Sequence, residues 1–265
     1  MTVGERSDLT VLRDGASRLG GFRNLIGIDA RGFWGTRQWW IQSLLWLAII
    51  IGLVVEPLYI ARSIFEGEGE DILTTATNMF FTLAALGPAI AAIIHMQGAI
   101  VGEKQLGTAA WVLSKPVSRT AFVLSKLVSR AFGILATALV IPSILGYVLL
   151  SLENGAALPA ARFLGALGLV VLVIVFYLAF TLMLGTLFDA RGAVIALPLA
   201  LLLAGDLLAG AVPFAAHLLP SSLPTLATLL ALGEPLPLWL PIVATPLWTV
   251  AFVLVAVWRF RWEEF

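Results

Sequence analysis

The sequence predicts an all-α, polytopic membrane protein with six transmembrane helices. Hydrophobic residues make up 60% of the 265-residue chain, charged residues make up only 12%, and the mean hydropathy is +1.00. Because a soluble domain usually has about a quarter of its residues charged, this composition excludes a soluble fold. Six apolar runs each come close to the ~20 residues that a helix needs to cross the hydrocarbon core. They cover residues 39–60, 76–101, 122–150, 163–187, 193–212 and 238–258.

Basic residues are concentrated in alternate intervals between these runs. Of the 16 lysines and arginines, 14 lie in residues 1–37, 102–130 and 188–192 and in the C-terminal end. The other intervals contain only Arg62 and Arg162. Lysine and arginine are enriched in cytoplasmic loops of membrane proteins. The distribution therefore predicts a multi-pass protein of the cell membrane, inner or plasma, with both termini in the cytoplasm.

The chain divides near residue 37 into a polar part and a membrane part. Residues 1–37 are predicted to form a cytoplasmic tail that ends in an interfacial helix, and residues 38–265 are predicted to form the six-span domain. In the helix, from Phe22 to Trp34, apolar residues are interspersed with charged ones, as in helices that lie along a bilayer surface. The alternative interpretation is a solvated basic tail.

Two intervals on the outer side differ in polarity. One carries an acidic cluster of Glu66, Glu68, Glu70 and Asp71. We interpret this cluster as a solvated loop, because four neighbouring carboxylates without fixed geometry do not define a cation site. The other interval, residues 213–237, is rich in leucine and proline and predicts a short apolar helix over about residues 223–232. That helix either forms a lid over an outer exit or rests at the interface.

The longest polar and basic interval between apolar runs covers residues 100–130. Within it, Leu106, Ala110 and Leu113 recur at helical spacing. This pattern predicts a short helix with one apolar face over residues 103–115.

The same interval contains a predicted helix end and a predicted helix start. Lys115 precedes Pro116, and the residue before a proline is disfavoured in the α region, so the short helix ends there. Either Ser118 or Thr120 then caps a new helix that leads into the third apolar run. A short helix held at the membrane surface between two spans has the form of an element that a partner grips.

Motifs of common enzyme chemistry are absent from the sequence. It contains no GxxxxGK[ST] phosphate loop, no HExxH zinc motif and no GxSxG nucleophile motif. No catalytic or metal-binding residue is therefore predicted, and the chain is not expected to be an enzyme by itself. The absence of cysteine excludes disulfides and thiolate chemistry. His95, in the second run, is interpreted as a satisfied polar residue.

Two carboxylates lie inside apolar runs. Glu56 falls in the outer part of the first span and Asp206 in the outer half of the fifth. Ionisable groups are costly inside a membrane and are candidates for function, so these two are possible polar groups of a shared pathway. The structural alternative is that Glu56 extends to the outer interface beside Pro57 and that Asp206 caps a break in its helix.

The 102–126 stretch, which we call the coupling segment, resembles the permease subunits of type-2 ATP-binding-cassette exporters. That family has an acidic residue after the second span, a Gly-Thr pair, a helical turn, a Pro-Val-Ser-Arg corner and a lysine that opens the third span. The matching residues here are Glu103, Gly107, Thr108, Leu113, Ser114, Pro116, Val117, Ser118, Arg119 and Lys126. The six-span topology and the apolar fifth outer interval are also similar. Family members often have Leu-Glu where this chain has Ala109-Ala110.

The resemblance implies that two copies of a separate cytoplasmic ATPase drive the chain, with ATP and Mg bound by that partner and no cofactor in this chain. A cytoplasmic coupling helix would occupy a groove of the ATPase. The implied contact residues are Glu103, Lys104, Leu106, Gly107, Thr108, Ala110, Trp111, Leu113, Pro116 and Arg119. The chain would form the pathway as a homodimer or with a similar permease, among membrane lipids and without nucleic acid. Asp189 and Arg191 form either a second contact or a solvated turn.

Two other classes of function remain open from the sequence. An ion-coupled secondary transporter would use Glu56 and Asp206 as coupling carboxylates, although no internal repeat or matched pair of broken spans is present. A non-transporting scaffold would use the basic inner interval to dock a partner or anionic lipid. The weakly charged spans favour an amphipathic or lipid-like cargo over a highly charged one.

Overall fold

The computed structural model describes residues 20–60, 62–67, 71–106 and 117–263. Within these ranges the chain is almost entirely helical and contains no strand, as predicted. The helices are α1 Phe22–Trp34, α2 Gln38–Ile60, α3 Arg62–Gly67, α4 Ile72–Gly102, α5 Glu103–Gln105, α6 Arg119–Glu153, α7 Ala160–Leu187, α8 Arg191–Ala211, α9 Pro213–Ala216, α10 Leu223–Leu232 and α11 Leu240–Arg261.

Five of these helices, α2, α4, α6, α7 and α11, are long and apolar enough to cross a membrane. The predicted fifth run is also helical, as α8. Among the described residues its continuous apolar part covers Arg191–Gly205, which is shorter than any of these five helices. The all-helical membrane architecture is therefore confirmed. The count of six spans stays a prediction.

Helix α7 is the centre of the bundle. It packs against α4, α10 and α11, and α4 in turn packs against α2 and α8. Phe80 of α4 stacks on Phe163 of α7 with ring centroids 5.8 Å apart, and Tyr147 of α6 meets Phe163 at 5.0 Å. A side chain at Gly146 would collide with Phe80, so glycine permits this close approach of α6 and α4.

Helices α1 and α10 have the residue bounds expected from the sequence. Pro224 lies at the start of α10, and Gly233 ends it in the left-handed conformation, with φ +85°. Proline inside the first turn and glycine just past the last turn are strong boundary signals. Helix α10 packs against α4 and α7, so it is part of the bundle. The interfacial position of α1 and the lid role of α10 stay predictions.

The helices α2, α4 and α6 each contain one π-helical turn. The turns cover Glu56–Ile60, Gly98–Gly102 and Leu135–Val140. The first contains Pro57 and the third is followed closely by Pro142, which lack the N–H group that a regular helix requires. Such turns are frequent at functional sites. The second turn forms the end of α4 and leads directly into the coupling segment.

Asp71 of the predicted acidic cluster caps helix α4. Its Oδ2 accepts hydrogen bonds from the Thr74 hydroxyl at 2.6 Å and from the Thr74 backbone N–H at 3.0 Å. These two bonds lower the pKa of Asp71 from its ordinary value of 3.8. Asp71 therefore has a defined structural role, whereas Glu68 and Glu70 and the side chain of Glu66 lie outside the described residues.

Replacing Asp71 by alanine should reduce the stability of the protein by about 1 kcal/mol, because the cap of α4 is lost. The pKa of Asp71 is lower in the folded state than in the unfolded state. The contribution of the ionised Asp71 carboxylate to folding stability is therefore complete well above pH 3.8. It is lost as the pH falls through the pKa that Asp71 has in the folded state. Thermal unfolding in detergent at pH 6 and at pH 3 should show a smaller difference between wild type and Asp71→Ala at the lower pH. An equal difference at both pH values would contradict the assignment.

Candidate functional site

The described part of the coupling segment consists of the two flanks of the 107–116 interval. Among the residues that the resemblance implies, Glu103, Leu106 and Arg119 are described with their side chains. The backbone of Lys104 lies in α5, but its side chain lies outside the described residues. The following residues also lie outside them: Gly107, Thr108, Ala110, Trp111, Leu113 and Pro116.

Glu103 belongs to an ion cluster that joins three elements. Nζ of Lys126, in α6, lies 2.6 Å from Oε1 of Glu103 and 2.9 Å from Oδ1 of Asp29, in α1. The side chains of Asp29 and Glu103 are 15% and 25% exposed. We call Asp29, Glu103 and Lys126 the ion triad. This pairing gives Glu103 a partner within the chain, in addition to the rim contact implied by the resemblance.

Lys126 is a buried cation, only 5% exposed. The aromatic ring of Phe122, one turn earlier in α6, lies beneath it with the centroid 5.3 Å from Nζ. The Ser129 hydroxyl, one turn later, donates to Oδ2 of Asp29 at 3.4 Å. A buried charge is tolerated only when it is paired and hydrogen-bonded, so the cluster fixes the positions of all three elements.

Arg119 binds the C-terminal end of α11. Its Nη1 donates to the backbone carbonyls of Arg261 at 2.8 Å and Glu263 at 2.6 Å. The last carbonyls of a helix have no partner within the helix, and a guanidinium supplies suitable donors. Of the two residues predicted to cap α6, Ser118 and Thr120, Ser118 is the N-cap, because its Oγ accepts a hydrogen bond from the backbone N–H of Ala121 at 3.0 Å.

The first flank ends in an exposed leucine beside the turn between α7 and α8. Leu106 is 77% exposed. The neighbouring Gln105 donates from Nε2 to the carbonyl of Asp189 at 3.2 Å, and the guanidinium of Arg191 lies next to Gly102. The 188–190 turn therefore lies beside the coupling segment, with Asp189 and Arg191 exposed. A second contact with a partner at these two residues stays a prediction.

The start of α1 contacts the second flank. The backbone N–H of Ser118 donates to the carbonyl of Gly20 at 3.1 Å. A Cβ at Gly21, where φ is +81°, would lie 2.8 Å from Cγ2 of Val117. Only glycine allows this close contact and this backbone conformation. The contact joins α1 to the exit from the 107–116 interval.

The two possible pathway carboxylates lie on helices that both pack against α4. Glu56 is half-buried at the start of the π-helical turn of α2. Asp206 lies in α8, whose backbone continues as a helix to Ala211, and its side chain lies outside the described residues. A break of α8 at Asp206 is therefore wrong. A shared pathway for the two carboxylates stays a prediction.

Metal-ligating side chains do not cluster in the described part of the chain, where no group of three could hold an ion. His95 is half-buried in α4, and His217 follows α9.

The ion triad is the main feature that sequence reasoning did not assemble. Lys126 is one of the residues that match the resemblance, and Asp29 is one of the charged residues interspersed in the Phe22–Trp34 pattern, but neither pattern connects the two. A lysine inside an apolar run is a usable signal, because such a residue needs an anionic partner. The sequence alone does not identify the two partners, of which Glu103 lies in the same interval and Asp29 lies 97 positions earlier.

These features together define an integral membrane protein whose basic surface segment is fixed at both flanks and exposes an apolar side chain between the spans. Residues 24–265 match the family model described as ABC-2 family transporter protein. The chain belongs to this family, whose members are membrane components of transporters and generally work with a cytoplasmic ATPase. A comparison with curated proteins gives no match.

Proposed function

We propose that this chain is the membrane-spanning permease subunit of an exporter that is driven by separate cytoplasmic ATPase subunits. The observation that carries the proposal is the coupling segment, where the 77%-exposed Leu106 follows directly after a flank held by the ion triad. An exposed apolar anchor on a rigid base is suited to insertion into a groove of a partner. The family assignment supports a permease and favours this interpretation over a scaffold.

The proposed topology has six spans, with α8 as the fifth and both termini in the cytoplasm. It places the coupling segment, the 188–190 turn and the end of α11 on the inner side. The bond from Gln105 to Asp189 and the bonds from Arg119 to the end of α11 support a common side for these three regions. The basic residues that cluster in the same regions support the inner side.

The proposed pathway forms between two copies of the chain. Helix α8 exposes apolar side chains along much of its length, including Leu197, Leu203 and Leu207. Such a surface suits lipid or a second permease. In a twofold dimer each copy supplies half of the pathway, and Glu56 and Asp206 are its candidate polar groups. ATP and Mg bind to the two ATPase subunits, whose closure moves the two coupling segments and alternates access to the pathway.

Co-purification from native membranes tests this function. The permease should bring down an ATPase, and Mg-dependent ATP turnover in lipid vesicles should be higher for the complex than for the ATPase alone. Turnover that does not respond to the permease would contradict the proposal. A chain that accumulates solute under an ion gradient without an ATPase would instead support the ion-coupled alternative, and loss of that accumulation in Glu56→Gln would support its coupling role.

A further inference from the structure

Helix α1 contacts the second flank of the 107–116 interval directly and is linked to the first flank through Lys126. On the first side, Lys126 holds Asp29 of α1 and Glu103 at 2.9 and 2.6 Å. On the second side, the Gly20 carbonyl accepts the Ser118 N–H at 3.1 Å. The two contacts are far apart on α1, because Asp29 lies about two turns beyond its start.

The first contact resists separation because of its charge balance. Two carboxylates share one ammonium group that is only 5% exposed. Moving α1 away from Lys126 would leave Lys126 with Glu103 as its one carboxylate partner. The Asp29 carboxylate would lose its cation in a poorly solvated place. Both changes are unfavourable, because charges outside water need compensating partners. The link is therefore stiff.

The C-terminal end of α1 continues the contacts into the membrane spans. Phe33 lies against Gly133 of α6, where an added Cβ would be 3.1 Å from the ring. The ring of Trp34 lies 6.0 Å from Phe132 of α6 and 5.7 Å from Trp39 of α2, measured between centroids. Helix α1 thus touches the coupling segment at one end and both the first and the third spans at the other.

We propose that α1 is the positioning element of the coupling segment, with Asp29 and Lys126 as its positioning residues. It holds the second flank of the 107–116 interval directly and the first flank through Lys126, so that α1, the two flanks and the start of α6 move as one body when the ATPase closes. This inference rests on the proposed function, since the movement comes from an ATPase. It assigns α1 a mechanical role in transmission, where the sequence indicated only a helix resting on the bilayer.

A distance measurement tests the one-body movement in a chain with an intact ion triad. The absence of cysteine allows spin labels at Asn24→Cys on α1 and Gln105→Cys on the first flank without a background signal from this chain, and both positions are exposed. The distance is measured in the complex with its ATPase in lipid vesicles, without nucleotide and after trapping with ATP and vanadate. We expect the same distance in both states. A distance that changes with nucleotide would overturn the inference.

ATP turnover of the same labelled complex separates the two proposals. Stimulated turnover together with a changed distance overturns only the inference about α1. If neither the labelled nor the unlabelled chain stimulates ATP turnover, the proposed function is overturned and the inference about α1 falls with it.

A second test removes the α1 side of the ion triad and keeps the Lys126–Glu103 pair. In Asp29→Ala we expect the ATPase still to co-purify, the stimulated turnover to fall about tenfold, and the label distance to broaden. The matched control is Arg31→Ala, which removes an exposed charge whose hydrogen bond, among the described residues, goes to the Gly27 carbonyl of the same helix. It should leave all three readouts unchanged.

A charge exchange identifies pairing as the cause. The double variant Asp29→Lys with Lys126→Asp keeps one cation and two anions in the cluster, so it should recover part of the turnover that Asp29→Lys alone loses. Full turnover and an unbroadened distance in Asp29→Ala would overturn the positioning role. Equal loss in Arg31→Ala would also overturn it, because the effect would then belong to charge on α1 in general.

Discussion

Replacing Leu106 by aspartate should abolish the stimulation of ATP turnover by the permease. Leu106 is 77% exposed in the free chain, and a leucine that becomes buried in a partner contributes about 2 kcal/mol through its apolar surface. Aspartate removes that contribution and adds the cost of burying a carboxylate without a partner. The combined effect corresponds to an affinity loss of at least ~100-fold. The measurements are co-purification of the ATPase and ATP turnover in lipid vesicles.

The matched control for this prediction is Gln105→Asp, which introduces the same charge one residue earlier at another exposed position. It loses one hydrogen bond, to the carbonyl of Asp189, but no apolar anchor. Its turnover should stay close to that of the wild type. Leu113→Asp tests the second implied anchor and should resemble Leu106→Asp. Full stimulation in both leucine variants would reject the proposed contact.

Replacing Lys126 by methionine should reduce the stability of the protein by about 3–5 kcal/mol. The substitution removes one partner of a buried ion cluster and leaves two carboxylates, Asp29 and Glu103, facing each other without a cation. The removal of one member of a buried pair is far more costly than the pair is stabilising. Thermal unfolding in detergent should show the loss, and Lys126→Arg should show a much smaller one.

The triple variant Asp29→Asn, Glu103→Gln and Lys126→Met separates charge from packing. It removes the two carboxylates together with the ammonium, so no uncompensated charge remains. We expect it to recover most of the stability that Lys126→Met loses, because replacing a whole buried ion cluster is often close to neutral. If the triple variant were as unstable as the single one, the loss would come from packing of the lysine chain against Phe122.

Helix boundaries were predictable from the sequence where turn residues punctuate an amphipathic or apolar pattern. Helices α1 and α10 begin and end at the predicted residues, and Gly21, Pro224 and Gly233 explain why, since each permits or enforces a local backbone geometry. The long spans were predicted only approximately. For example, α4 begins at Ile72, not residue 76, because Asp71 supplies an N-cap that hydropathy does not register.

Side-chain partners between distant parts of the chain were not predictable in the same way. Arg119 was expected to face a partner protein, yet its guanidinium reaches the carbonyls of Arg261 and Glu263, 142 and 144 positions later. The ion triad likewise joins residues 29, 103 and 126. Periodicity describes which face of one helix is apolar. It carries no information about which other helix meets a charged residue.

The hold of Arg119 on the last carbonyls of α11 has a practical consequence for protein engineering. A fluorescent domain inserted directly after Glu263 would lie beside the flank that opens the third span, so it would compete with that guanidinium or report on its surroundings. The exposed bend at Gly155, where φ is +70° and an added Cβ would meet nothing within 4 Å, is the better place for an inserted tag.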